Sequence, residues 1–258
     1  MSRIIVLGSG TALPDRDRDN TSLVWDAPDG ALLIDCGGRA YQQLLRAGVD
    51  PARLRAVLLT HAHPDHIYGL PALLFHLWLA GYPGTLDIHA NAPTLGTARR
   101  LVDALDLERN GHMCRVAWHT FPAGGEHFVE ECDTYRLSVA PVQHSIPCHA
   151  VKIEDRTSGQ TLVYSSDTQP CAELEQFARG AHTLIHEATT SNPDEGHGHT
   201  TPRQAGEIAT RAGVKRLLLI HFSAQYTMPE ADAIAEVRAG GFEQEVAITE
   251  DLAGYRLD

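Results

Sequence analysis

A chain of 258 residues that is 43% apolar can build one large core or two smaller ones, and its formal charge of −12 disfavours a protein that grips nucleic acid over its whole surface. Lys152 and Lys215 are its only lysines, so any nucleic-acid footprint would be a local patch. The opening Met1 to Gly8 is too short for a signal sequence and no later apolar run approaches a membrane span, which predicts a cytoplasmic protein.

The N-terminal stretch 3–8 reads as a strand, and 21–26 and 31–35 as a pair joined by Pro28-Asp29-Gly30. A helix over 41–47 is closed by Gly48, and 56–60 is a buried apolar strand. Further strands are expected at 85–90, 115–119, 135–143, 151–154 and 161–165, with helices over 70–79, 94–105, 171–179 and 202–212. The last helix carries the clearest local signals: Thr201 as N-cap, Pro202 at the first position, Gln204 completing a capping box and Gly213 as terminator. No repeat or linker divides the chain, so one domain over 1–258 is expected. Mixed strands and helices imply sheets covered by helices. Periodicity alone leaves a doubly wound sheet and a two-sheet sandwich both open. Cys36, Cys114, Cys132, Cys148 and Cys171 show no paired spacing, which predicts free thiols.

Fifteen histidines make a metal site worth seeking. The strongest signal is Thr60-His-Ala-His-Pro-Asp-His66, directly after the apolar strand. Three imidazoles and a carboxylate at the end of a rigid strand suit zinc and neighbouring borderline metals. A merely polar, histidine-rich loop would not bring the carboxylate and the preceding strand with it.

His61, His63, Asp65 and His66 spell the HxHxDH signature, and here the chain resembles the metallo-β-lactamase superfamily. The resemblance implies an α/β fold, the αββα four-layer sandwich. It implies two metal ions per chain, taken as zinc, with manganese or iron as alternatives. His61 and His63 would bind the first metal with His144, which follows a strand in Val142-Gln-His-Ser145. Asp65 and His66 would bind the second with His221, in Leu217-Leu-Leu-Ile-His-Phe-Ser223. Asp167, in Tyr164-Ser-Ser-Asp-Thr168, would bridge both. Alone, His221 would pass for a core histidine and Asp167 for a turn residue; their order along the chain gives them weight. His76, His89, His112, His119, His127, His149 and His182 have no family match and are taken as structural or surface residues.

Within the superfamily the chain is similar to ribonuclease Z and its phosphodiesterase relatives over nearly its whole length. Leu7-Gly-Ser-Gly-Thr11, Leu33-Ile-Asp-Cys-Gly37, the bridging-aspartate segment, His186-Glu-Ala-Thr189, His199-Thr-Thr201 and His221-Phe-Ser-Ala-Gln-Tyr226 carry the match. It implies a hydrolase in which Asp65 also orients or deprotonates the attacking water, and in which His199, held by Glu187, protonates the leaving group. A homodimer is implied as well.

Two departures separate the chain from ribonuclease Z. The basic, Gly/Pro-rich arm that grips tRNA, inserted in bacterial forms between the third histidine ligand and the bridging aspartate, has no room between His144 and Asp167: a predicted hairpin fills that interval. Gln225 stands where the family usually has arginine. The expected substrate is therefore a small ester, above all a phosphodiester, with nucleic acid disfavoured. The rivals are a lactone, thioester or sulfate ester hydrolase on the same fold, a tRNA 3′-processing endonuclease, and a nucleic-acid binding module without turnover.

Overall fold

The computed structural model describes residues 2–191, 198–223 and 228–257. They form two compact units, Met1–Pro122 with Glu250–Arg256 and Ala123–Thr249 with Leu257–Asp258.

The first unit runs β1 (Arg3–Gly8), β2 (Ser22–Ala27), β3 (Gly30–Ile34), α1 (Ala40–Arg46), β4 (Leu54–Leu58), α2 (Pro64–Ile67), α3 (Leu70–Leu79), β5 (Thr85–Asn91), α4 (Ala92–Asp103) and β6 (Arg115–Phe121). A short strand, Gly254–Tyr255, completes a seven-stranded sheet beside β1, and the remaining strands follow in chain order. β1 to β3 pair antiparallel, β1 and β2 across the loop 9–21 and β2 and β3 through a tight turn, whereas β3 to β6 are parallel and need the helical crossovers α1, α2 with α3, and α4. β3 and β4 are nearly continuous apolar runs, as strands buried on both faces must be. Val24, Leu33, Val57 and Ile88 of the sheet pack with Leu44 of α1, Leu70, Leu73, Leu74 and Leu77 of α3, and Ala98 and Val102 of α4. α4 starts two residues before its predicted bound, because the Asn91 side chain accepts from Thr94 N and caps it there.

The loop after β1 is fixed from the far end of the sequence. Asp251 accepts Ser9 N at 2.9 Å and Ser9 Oγ at 2.8 Å through one oxygen, and Asp19 N at 2.8 Å and Gln43 Nε2 at 3.4 Å through the other. Asp251→Ala strands two backbone donors and is expected to lower unfolding free energy by about 2–4 kcal/mol. Urea unfolding reads this as a lower midpoint at constant slope, and an unchanged midpoint would reject the anchor.

The second unit runs β7 (His127–Glu131), β8 (Tyr135–Val142), β9 (Cys148–Asp155), β10 (Thr161–Tyr164), α5 (Ala172–Phe177), β11 (Thr183–Glu187), α6 (Pro202–Ala212), β12 (Arg216–Ile220), α7 (Glu230–Ala239) and β13 (Glu245–Ile248). Its seven strands lie in sequence order, antiparallel from β7 to β10 and parallel from β10 to β13. Val163, Leu184, Leu217 and Leu219 pack with Leu174 and Phe177 of α5, Ile208 and Ala209 of α6, and Val237 of α7. α6 has the expected bounds, capping box and Pro202, and ends at Gly213 in the left-handed region, φ 71°. The predicted hairpin is present as β9 and β10, joined by a turn in which the Asp155 carboxylate accepts Thr157 N at 2.9 Å and Ser158 Oγ at 2.8 Å.

All five cysteines are free, as their spacing predicts, and all but Cys132 are buried. Burial pushes the Cys114 thiol up to about 11 and raises that of Cys36 as well, aided there by the charge of Asp35. Among the described residues no helix is long and apolar enough to cross a membrane.

Candidate metal-binding and catalytic residues

In the first unit β4 delivers Thr60 and His61 just past its carboxyl end, where open α/β sheets place ligands. His63 precedes α2 and Pro64 starts it, so a single helical turn carries Asp65 and His66. Asp35 follows β3, the parallel neighbour of β4, with φ at 62°, a left-handed conformation costing ~1–3 kcal/mol for a non-glycine residue. Its buried carboxylate accepts Thr60 N at 2.8 Å, the Thr60 hydroxyl at 2.9 Å and His66 Nδ1 at 2.8 Å.

These contacts fix the tautomers. His66 Nδ1 must carry the hydrogen it gives to Asp35, which leaves Nε2 with a lone pair, 3.4 Å from Asp65 Oδ2. The Thr60 hydroxyl hydrogen goes to Asp35, so its oxygen accepts from His61 Nδ1 at 3.1 Å. His61 Nε2, likewise left with a lone pair, lies 3.0 Å from His63 Nδ1. One carboxylate thus aligns His66 directly and His61 through a hydroxyl. Gly37 lets this turn close: a Cβ there would lie 1.7 Å from the Asp65 carbonyl oxygen.

In the second unit β8, β10, β11 and β12 all run the same way, and each ends at a candidate residue. His144 lies just past β8, Asp167 past β10, Glu187 closes β11 and His221 follows β12. Ser166 and His221 take positive φ values, 53° and 67°, as the chain turns off its strands. The two Asp167 oxygens face different imidazoles: Oδ1 is 3.4 Å from His221 Nε2 and Oδ2 is 3.9 Å from His144 Nε2. His144 donates through Nδ1 to the Gly198 carbonyl at 3.0 Å, leaving the Nε2 lone pair toward Asp167.

Glu187 organises the rest of this set. One of its oxygens accepts Thr168 N at 2.8 Å and His199 Nδ1 at 2.9 Å; the other accepts Thr200 N at 3.1 Å and the Thr189 hydroxyl at 2.7 Å. The Thr189 oxygen in turn accepts from His221 Nδ1 at 2.7 Å. The carboxylate, threonine and histidine chain of the first unit is thus repeated with different elements. Burial pushes the Glu187 carboxyl up, but the hydrogen bond and charge of His199 outweigh it and hold the group below the ordinary range. His199 stacks on His221 at 5.4 Å and meets His144 edge-on at 5.2 Å.

The structure therefore brings His61, His63, Asp65 and His66 together in one unit, and His144, Asp167, Glu187, His199 and His221 together in the other. Glu187 belongs to a strand rather than to the loop that its sequence context suggests. Several histidines without a family match have ordinary partners: His119 meets Asp87 at 2.7 Å and stacks on His89, and His149 meets the Ala123 carbonyl. Asp35, Thr60 and Thr189 are the functional residues that sequence reasoning did not single out, although each lies inside a quoted motif. Gln225 lies outside the described residues.

Each unit thus holds two histidines with Nδ1 engaged by oxygen and a lone pair on Nε2, beside a carboxylate, and donors of this kind suit borderline divalent metals. Removing the outer partner of a ligand typically costs ~10–100-fold in metal affinity. Thr60→Val is expected to weaken metal binding by about that factor in chelator competition, with Thr60→Ser restoring it. Equal affinities for the two variants would reject the Asp35–Thr60–His61 alignment.

The description Beta-lactamase superfamily domain matches residues 31–222. A ribonuclease Z of Methanothermobacter thermautotrophicus is 30% identical over 285 aligned positions, covering 89% of each chain. The structure of human tRNase Z, short form, superposes with a TM-score of 0.83 at 22% identity, covering 100% of both chains. A metallo-beta-lactamase fold protein of Bacillus subtilis gives 0.81 at 23% identity over 98% of both. The chain belongs to the beta-lactamase superfamily, has the metallo-β-lactamase fold, and stands among the ribonuclease Z-like, metal-dependent hydrolases of ester bonds.

Proposed function

We propose that this protein is a two-metal phosphodiesterase of the ribonuclease Z type that lacks the tRNA-gripping arm. His61, His63 and His144 would hold one zinc ion, Asp65, His66 and His221 the other, and Asp167 would bridge them within a single domain over 1–258. The observation that carries the reading is the pair of Asp167 oxygens, each facing the Nε2 of a different proposed ligand. When bound, the metals supply Lewis acidity toward a phosphoryl oxygen and lower the pKa of a water. Asp65 would orient or deprotonate the attacking water, and His199, its ring held by Glu187, would give a proton to the departing oxygen.

The absence of an arm is supported by the β9–β10 hairpin, which occupies the interval between His144 and Asp167. The 285 aligned positions also exceed this chain's 258 residues, so the archaeal ribonuclease Z carries residues with no counterpart here. With −12 charges, the expected result is hydrolysis of bis(4-nitrophenyl) phosphate and poor cleavage of precursor tRNA by the metal-loaded protein. Efficient, salt-sensitive cleavage of precursor tRNA at its 3′ side would overturn the arm-less reading. A lactone or thioester hydrolysed faster than the diester would overturn the phosphodiesterase reading. The same proposal includes a cytoplasmic homodimer, supported by the exposed Leu45 of α1 and Trp78 and Leu79 of α3.

A further inference from the structure

A groove of 570 Å³ in the second unit lies beside His144, between the segment that follows β8 and the segment that follows β10. It falls within the 300–1,000 Å³ usual for small-molecule sites. The two segments are tied by Gln169 N donating to the Gln143 carbonyl at 2.7 Å. This tie places one glutamine next to His144 and another two residues past Asp167. Val142, Ile146 and Pro147 add aliphatic surface. Both glutamines are exposed, and neither side-chain amide has a hydrogen-bond partner among the described residues.

We propose that this groove is a nucleobase subsite, so that the diester hydrolysed by this protein is a nucleoside ester; the inference rests on the phosphodiesterase reading above. Among the described residues no lysine, arginine, aspartate or glutamate lines the groove, so a second phosphate would find no countercharge from them. An alkyl chain would cover the aliphatic wall but desolvate two amides without pairing them, which is the costly outcome for a polar group. A base satisfies both demands. Its faces are apolar enough for Val142, Ile146 and Pro147, and its edge presents adjacent donors and acceptors that a glutamine amide matches. His144, the residue proposed to hold metal, also lines the groove, so a ribose-length spacer would let the phosphate reach the metals while the base lies in the groove.

The test compares thymidine 5′-(4-nitrophenyl) phosphate with the matching deoxyribose diester that lacks the base, on metal-loaded wild type, Gln143→Ala and Gln169→Ala. The expected wild-type preference for the base-bearing diester is about tenfold or more in kcat/KM. In each variant that ratio should fall by ~5–30-fold, through KM, as one or two hydrogen bonds are lost. Calorimetry with thymidine monophosphate and deoxyribose 5-phosphate reads the groove without turnover. Equal kcat/KM and equal affinity for the two members of each pair, or ratios unmoved by both substitutions, would overturn the subsite. Tight, glutamine-dependent binding of the nucleotide with no hydrolysis of either diester would instead sink the phosphodiesterase reading and leave the base-binding groove in place.

Discussion

Asp167→Ala is expected to strip metal from the protein and remove phosphodiester hydrolysis, a loss larger than the ~10–100-fold that follows deletion of a ligand's outer partner. The reason is geometric. The carboxylate is buried at the end of β10, on a turn held by the positive φ of Ser166, and offers one oxygen to the side of His221 and the other to the side of His144. Without a cation between them, lone pairs on imidazole nitrogens and carboxylate oxygens repel at these separations. Removing the shared carboxylate takes one donor from each proposed metal at once. Asp167→Asn keeps the size and one acceptor but loses the charge, so it should retain some metal and little activity. His61→Ala should also lower metal content, but more of the second ion should remain, because Asp65, His66, His221 and Asp167 are intact. Elemental analysis of wild type should give close to two ions per chain, with circular dichroism confirming that the variants fold. One ion per chain at full activity, or an active Asp167→Ala variant, would sink the bridging assignment.

The parts of the site that were legible in the sequence are those written as short motifs at strand ends. The apolar run of β4 followed by Thr60 to His66 identifies both a buried strand and four candidate ligands, because such a strand leads its polar successors to the sheet's carboxyl edge. α6 was equally legible, since Thr201, Pro202, Gln204 and Gly213 act locally and need no tertiary partner. β11 was not, because its last two residues are polar and all five are buried; it reads as a strand only once β10 and β12 pair with it. β7 was missed for a different reason: a bulge between Phe128 and Glu130 breaks the alternation that would have announced it. α7 has only Ala233 and Val237 buried, too narrow a stripe to stand out as a helical period. Asp35, Thr60 and Thr189 act through hydrogen bonds to residues that are sometimes far away in sequence. Asp35 and His66 are 31 positions apart, and no spacing rule joins them.

The role of His199 is tested by the leaving group. Its Nδ1 is committed to Glu187, so Nε2 is the nitrogen from which a proton can be given. A nitrophenolate departs without help, whereas an alkoxide needs that proton as the bond to phosphorus breaks. General-acid assistance is typically worth ~10²–10⁴-fold, so His199→Ala should slow an alkyl or nucleoside diester by that order and a nitrophenyl diester far less. Metal content should not change, because the proposed ligands His221 and His144 keep their own Nδ1 partners, Thr189 and the Gly198 carbonyl. Glu187→Gln should give a milder form of the same pattern. An amide still accepts from one partner, but the imidazole loses the charge that favours its protonated form, and Thr189, which Glu187 holds for His221, loses its carboxylate. Some loss of metal affinity is therefore expected in Glu187→Gln and none in His199→Ala. The measurement is the dependence of rate on leaving-group pKa in wild type and both variants, with metal content read alongside. A steeper dependence in His199→Ala supports the acid. Equal slowing across all leaving groups would assign His199 to substrate positioning, and loss of metal would make it a ligand; either result rejects proton donation to the departing oxygen.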